Sequence, residues 1–337
     1  MYGIVTPQHI NIWAGIAKCA NRCLFCQLND LRPVTFDIKR FMGVVDKFWD
    51  YKVRTGLGID AWVGFSYDLS ISDFAIQKDL YSRNGWGVSL VQMGGMPVMD
   101  DATLLRWFQE RKNIGIKDVY ASYYGLAPYH DYLNDMPGNF DYMLKSQILA
   151  SKVGLHNGQR IMLTKSALPD LARLLEILDE PGAVSERVAY PLFYSGYARN
   201  FEHERPTKAD LDAQPETVQA AYRGDRPNWK SESEWIEWIR ADKEQFSMKW
   251  LLLQINDENI AALEKMSCDE IIADLTERTN RAYAAVPSSA ELAEKYSDPL
   301  NDKVYMFLWD MECLWVDRFL ARNPHIQFER HLTHFGR

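Results

Sequence analysis

Cysteine is scarce in this chain: 337 residues hold five. A disulfide framework is therefore a poor fit, and a reducing cytosol suits the composition. The N-terminus, Met-Tyr-Gly-Ile-Val-Thr-Pro, shows no charged stretch leading into a long apolar run, so no secretory signal is expected. No uninterrupted apolar stretch approaches the ~20 residues of a membrane span. Basic charge is not in excess. The net charge of −8 argues against a broad phosphate-binding surface, so neither nucleic acid nor a membrane is an expected partner. Internal repeats and low-complexity segments are absent too. What the chain does have is 47% apolar residues, enough for one large core or two smaller ones.

Three of the five cysteines crowd into one short run, Cys19-Ala-Asn-Arg-Cys23-Leu-Phe-Cys26, spaced C-x3-C-x2-C. Thiols at this spacing can converge on one metal centre. A structural zinc site needs four ligands, commonly as two separated pairs. Here no second pair exists: Cys268 and Cys313 are distant and isolated, and no His lies near the triplet in sequence. An electron-carrying [4Fe–4S] cluster normally has four thiolates. Three would leave one iron open, where a second ligand can bind.

Along the chain, residues 8–16 read as a first strand that feeds the cysteine loop. Ile38, Phe41, Val44, Val45, Phe48 and Trp49 repeat with a 3.6-residue period, so 37–53 reads as a helix. Residues 54–86 are Gly/Ser/Asp-rich, with a strand-like 61–65, and read as an insertion. Further strands are expected at 88–97, 118–124, 160–166 and 187–196, alternating with a helix capped by Asp100 or Asp101 and carrying Leu104, Leu105, Trp107 and Phe108, and with helices at 139–152 and 168–178. This alternation implies βαβ units and a parallel sheet. Near 205 the texture changes, and 206–337 reads as mainly helical.

The cysteine spacing, with Phe25 before the last cysteine, resembles the radical S-adenosylmethionine (SAM) superfamily. The resemblance covers roughly residues 8–200. It implies an α/β fold, a partial (β/α)6 barrel over residues 1–205, with a mainly helical C-terminal domain at 206–337 that caps the opening and binds substrate. It implies that Cys19, Cys23 and Cys26 hold a [4Fe–4S] cluster and that SAM occupies the open iron. Gln92-Met-Gly-Gly-Met-Pro97 sits where the family carries its Gly-Gly-Glu-Pro turn. Gly94, Gly95, Met96 and Pro97 are therefore expected at SAM, with Met96 where a Glu is usual. Phe25 is expected on the adenine side. Ser122 and Ser166 at strand ends, and Gly196 and Arg199 after the last strand, complete the expected cofactor set, with Arg199 suited to SAM's carboxylate.

The chemistry so implied is reductive. An external donor such as flavodoxin or ferredoxin reduces the cluster, SAM's C5′–S bond breaks, and a 5′-deoxyadenosyl radical takes hydrogen from the substrate. Asp131…Pro137-Gly-Asn-Phe-Asp141 is similar to the barrel of the peptide-modifying branch, although no auxiliary-cluster cysteines follow residue 26. The expected substrate is a peptide or natural-product intermediate, with epimerisation, cross-linking and dehydrogenation all open. A small metabolite is the alternative substrate, and a non-catalytic cluster or zinc module is the alternative function. Cys313 and Cys268 are candidate catalytic hydrogen-atom donors. Ser267-Cys-Asp-Glu270 reads as a capping box that places Cys268 in a first helical turn. Ordinary burial is the competing reading for both thiols. The tail 330–337 reads as a solvated terminus.

Overall fold

The computed structural model describes residues 7–15, 19–27, 34–64, 70–182, 184–224, 226–241 and 249–336. The elements run β1 (His9–Gly15), α1 (Ile38–Thr55), β2 (Gly58–Gly64), α2 (Ile71–Arg83), β3 (Leu90–Gln92), α3 (Asp101–Asn113), β4 (Asp118–Tyr123), α4 (Ala127–Asn134), α5 (Asn139–Val153), β5 (His156–Leu163), α6 (Leu171–Ile177) and β6 (Val184–Pro191). A 3₁₀ segment, Gly196–Glu204, follows. Then come α7 (Lys208–Asp212), α8 (Glu216–Gln219), α9 (Glu232–Ala241), β7 (Trp250–Gln254), α10 (Ile260–Leu263), α11 (Cys268–Ala284), α12 (Ser289–Lys295) and α13 (Leu308–Arg322).

The strands form two parallel sheets, β2-β1-β7 and β3-β4-β5-β6. The α/β expectation with a parallel sheet therefore holds. Two details differ from the sequence reading. The expected insertion at 54–86 contains β2 and α2; β2 is the parallel neighbour of β1 over all seven of its residues. Gly58, Asp60 and Gly64 belong to the strand itself, and Asp73 and Asp79 to α2, elements that the loop-like composition disguises. Beyond 205, β7 joins the other side of β1, so the C-terminal part is not only a helical cap. Its Leu251 and Leu253 share one core with Ile10, Ile12, Phe41, Val44 and Phe48.

The split between the sheets has a specific cause. The free edge of β2 finds its partners on α2 instead of on β3. Asn84, which caps α2, accepts from Ala61 N at 3.1 Å and donates to Ala61 O at 2.6 Å. Gln77 Nε2 and Tyr81 OH both donate to Val63 O, at 3.1 and 2.9 Å. Side chains thus satisfy a buried strand edge that would otherwise carry orphan backbone groups.

Alternation along each strand separates two faces. On β4 and β5, Val119, Ala121, Tyr123, Ile161 and Leu163 pack under the helices, with Phe108, Phe140 and Leu149. On β1 and β2, Ile10, Ile12, Ala61 and Val63 do the same against α1. The opposite face carries Asn11, Trp13, Asp60, Trp62, Tyr120, Ser122, Arg160 and Tyr190, all partly buried or buried.

Candidate functional site

The cysteine loop leaves β1 and is pinned at three points beyond the strand ends. Ala20 N donates to Gly95 O after β3, and Leu24 N to Leu133 O on α4, both at 2.8 Å. Tyr197 N donates to Cys26 O, also at 2.8 Å, from the segment after β6. Phe25 is the apolar plug of the loop, only 3% exposed. Its ring meets Tyr124 edge-on at 4.5 Å and packs with Leu133, Met162, Leu192 and Ala198. Cys23 and Cys26, flanking the plug, stay partly exposed, and Cys19 is exposed. The sequence spacing thus becomes three thiols displayed on one anchored turn at the C-terminal mouth of the strands, where α/β folds bind ligands.

The thiols feel one another. Burial pushes the Cys23 thiol up to about 12, and the neighbouring charges of Cys26 and Cys19 push the same way. Cys19 is raised by burial too, and Cys26 adds to the shift. Three thiolates side by side need a cationic centre to compensate them, and iron or zinc would do so. Among the described residues, no three His, Cys, Asp or Glu groups are set around a single ion. A four-iron cluster takes one thiolate on each of three irons and so spreads its ligands wider than one ion does. Two buried polar atoms of the loop, Asn21 Oδ1 and Gln27 Nε2, have no hydrogen-bond partner among the described residues. A donor set of three thiolates with orphaned polar atoms beside it fits a bound group at this loop.

The glycine turn lies against the loop through the Gly95 carbonyl. Gly95 is buried at φ +93°, a conformation that requires glycine. A Cβ on Gly94 would meet nothing within 4 Å, so that position has open space beside it. Met96 points the other way: it is 1% exposed and joins the core with Phe74, Val91 and Met93. Pro97 is exposed, and its carbonyl accepts from Tyr142 OH at 3.2 Å. Ser166 is tied to Glu204, its Oγ donating at 2.9 Å. Gly196, at φ +48°, opens the 3₁₀ segment whose next N–H holds the cysteine loop. Arg199 faces a carboxylate of the protein itself, with Nε 3.8 Å from Asp317 on α13.

Sequence reasoning missed Arg160. It lies opposite Ser122 in the β4–β5 register. Its neighbours Ile161 and Leu163 pack under the helices, and Met162 on Arg160's own face touches the Phe25 cluster. Arg160 therefore stands on the inner face, one layer below the cysteine loop. Its guanidinium lies 5.0 Å from the Tyr120 ring centre and makes no salt bridge among the described residues. Tyr120 itself crosses over Gly158 to donate to Glu186 at 2.7 Å, three strands in one bond. Nothing in the sequence singles it out; only the alternation of its neighbours could have shown its side.

The two lone cysteines lie elsewhere. The capping box is present, Glu270 N donating to Ser267 Oγ at 3.3 Å and Ser267 N to Glu270 Oε2 at 2.8 Å. Even so, burial raises the Cys268 thiol, outweighing the helix end. Its Sγ donates to Lys47 O at 3.5 Å on α1, in the helical layer. Cys313 is fully buried, its Sγ donating to Phe335 O at 3.4 Å, and burial pushes it up to about 12. The tail covers it: Leu332, His334 and Phe335 are buried, not solvated as the basic composition suggested. His334 bridges Glu312 Oε2 at 2.9 Å and Tyr283 OH at 2.8 Å, which locks the tail onto α13 and α11.

No family model and no curated protein matches the chain. Among solved structures, SuiB of Streptococcus suis bound to S-adenosylmethionine overlaps 74% of this chain and 50% of its own, at 15% identity and a TM-score of 0.42. Coproporphyrinogen III oxidase (HemN) of Escherichia coli, described as a radical SAM enzyme, overlaps 75% and 64%, at 12% identity and a TM-score of 0.44. SuiB bound to the precursor peptide SuiA overlaps 74% and 57%, at 14% identity and a TM-score of 0.44. The chain thus spans about half to two thirds of the structures it is similar to.

Proposed function

We propose that this chain is a radical SAM enzyme acting on a peptide or natural-product intermediate. The observation that carries it is the three-thiol loop hung by backbone hydrogen bonds over the C-terminal ends of parallel strands. Cys19, Cys23 and Cys26 would hold a [4Fe–4S] cluster, and the Gly94-Gly95 turn would receive the methionyl end of SAM. Gly94 offers the room, since nothing lies within 4 Å of where its side chain would be. Arg160 with Ser122, in place of Arg199, would pair with SAM's carboxylate, because among the described residues Arg160 makes no salt bridge, whereas Arg199 faces Asp317. When bound and reduced, the cluster supplies the electron that cleaves SAM to methionine and a 5′-deoxyadenosyl radical.

The residues of the chain do the rest by position. Phe25 seals the loop on the Tyr124 side and keeps water from beneath it. Trp13, Trp62, Tyr120 and Tyr190 make the inner face aromatic and partly open, suited to a substrate larger than a single polar metabolite. Cys19, on the exposed side of the loop, leaves a path for a small electron donor such as flavodoxin or ferredoxin. Neither Cys268 nor Cys313 faces this interior, which weighs against a thiol-quenched epimerisation and toward cross-linking or dehydrogenation. Anaerobic reconstitution with iron and sulfide, followed by reduction with SAM, tests the reading. About one four-iron cluster per chain and release of 5′-deoxyadenosine are expected. Tight zinc in place of iron, or a loaded cluster that never cleaves SAM, would reject it.

A further inference from the structure

Helix α13 starts on a residue that caps nothing. Three other helices of the C-terminal half, α7, α11 and α12, each begin with a full capping box: Thr207 with Asp210, Ser267 with Glu270, Ser288 with Glu291. At the same place α13 has Phe307, whose side chain makes no cap bond. A phenylalanine there gives up the stability that Ser, Thr, Asp or Asn would supply. It also leaves a large ring in water, since Phe307 is 39% exposed. Asp310, three residues on, stands where a capping box has its acid, but it is turned elsewhere. It is fully buried, accepts from Tyr194 N beyond β6, and lies 3.5 Å from the buried Arg205. The first turn of α13 is thereby fixed against the chain that leaves β6.

That contact brings three rings together. The centres of Phe193, Phe307 and Trp309 form a triangle with sides of 6.0, 5.8 and 5.8 Å. The plane of Phe307 is 24° from that of Phe193 and 18° from that of Trp309. In a column the outer two rings would stand much farther apart than neighbours do. Near-equal sides mean that the rings overlap like tiles and keep part of each face open; Phe193 and Trp309 are only half-buried. Phe193 in turn stacks on Tyr190, with centres 5.5 Å apart and planes at 21°. Tyr190 lies opposite Met162 in the β5–β6 register, on the face that carries Arg160. The tiles therefore continue the inner face outward to the start of α13.

We propose that Phe193, Phe307 and Trp309 form a subsite that holds an aromatic side chain of the substrate and leaves the reacting part of the molecule further along the inner face. The inference rests on the reading of this face as the substrate side of the enzyme. Open ring faces at these tilts accept a further ring by offset stacking. A cation is attracted to such faces too, but Arg160 already places a positive charge on this side, its guanidinium 5.0 Å from the Tyr120 ring centre. A sugar gains little, because Phe193 and Phe307 carry no hydrogen-bonding side-chain group.

The test titrates N-acetyl-tyrosinamide into the reconstituted protein, with N-acetyl-leucinamide and N-acetyl-lysinamide as aliphatic and cationic comparisons, read by saturation-transfer NMR. Wild type should favour the tyrosine amide over both others by about two- to tenfold, the range expected of one stacked ring pair. Phe307→Ser should lose most of that preference and, because serine caps α13, should melt no lower than wild type. A ring that served only the fold would give the opposite pair of results, a lower melting temperature and an unchanged preference. Phe193→Leu, which keeps apolar volume without a flat face, should lose the preference as well; if it fails to fold, Phe307→Ser decides. No preference in wild type, a preference for the lysine amide, or a full preference in Phe307→Ser would overturn the subsite. SAM cleavage is followed on the same samples. A protein that shows the aromatic preference but never cleaves SAM keeps the subsite and rejects the radical SAM reading. One that cleaves SAM without the preference rejects the subsite alone.

Discussion

Arg160→Met is the substitution that separates the SAM site seen in the structure from the one expected from sequence. Methionine keeps the stem's apolar length and removes only the fork. Arg160 has no salt-bridge partner to strand among the described residues, so its loss leaves no uncompensated carboxylate in the protein. What it can lose is a charge-assisted contact to SAM's carboxylate. Such bonds contribute about 1.5–3 kcal/mol, which corresponds to roughly 10- to 150-fold weaker binding. The assay is equilibrium binding of SAM to the reconstituted protein, with decarboxylated SAM as the paired probe. Wild type should favour SAM over the decarboxylated compound; Arg160→Met should bind the two almost alike, with its cluster absorbance intact. Arg199→Met should leave the preference unchanged, because its guanidinium already faces Asp317. Equal weakening toward both ligands, or none, would refute the placement of Arg160 at the carboxylate.

Two further outcomes follow from packing and burial. In Gly158→Ala the new Cβ would stand 2.4 Å from the Tyr120 ring, so the ring must leave Glu186; about 1–3 kcal/mol should be lost, seen as a drop in thermal midpoint that shrinks when Tyr120→Ala is added. An unchanged midpoint in the single variant would show that the ring does not lie over Gly158. Burial lowers the His130 ring from 6.5 to about 4, so as the pH falls the unfolded chain takes up this proton first. Stability should therefore decline from pH 6.5 toward 4 by at most about 3 kcal/mol on account of this residue. Denaturant melts of His130→Phe should show a shallower decline over that window, and parallel curves would contradict the assignment.

Local rules in the sequence determined much of this protein. The 3.6-residue period of Ile38, Phe41, Val44, Val45 and Phe48 gave α1, because one helical face must be apolar to meet a sheet. Asp100 caps α3, and Ser267 with Glu270 caps α11, because side-chain oxygens near a helix start bind its free N–H groups. The C-x3-C-x2-C spacing set three thiols on one turn without reference to anything distant. Other features depend on partners far along the chain, and only the tertiary structure decided them. β7 pairs with β1 across more than two hundred residues, and nothing in Trp250–Gln254 names that partner. The polar edge of β2 resembled a loop until Gln77, Tyr81 and Asn84 were seen to satisfy it. Cys313 sits on a helix whose sequence does not say what covers it, and the cover is the tail, which folds back over it. Arg199 and Arg160 are alike in sequence, since each is a strand-associated cation. They differ because Asp317, brought up by α13, faces one of them, and among the described residues no carboxylate forms a salt bridge with the other.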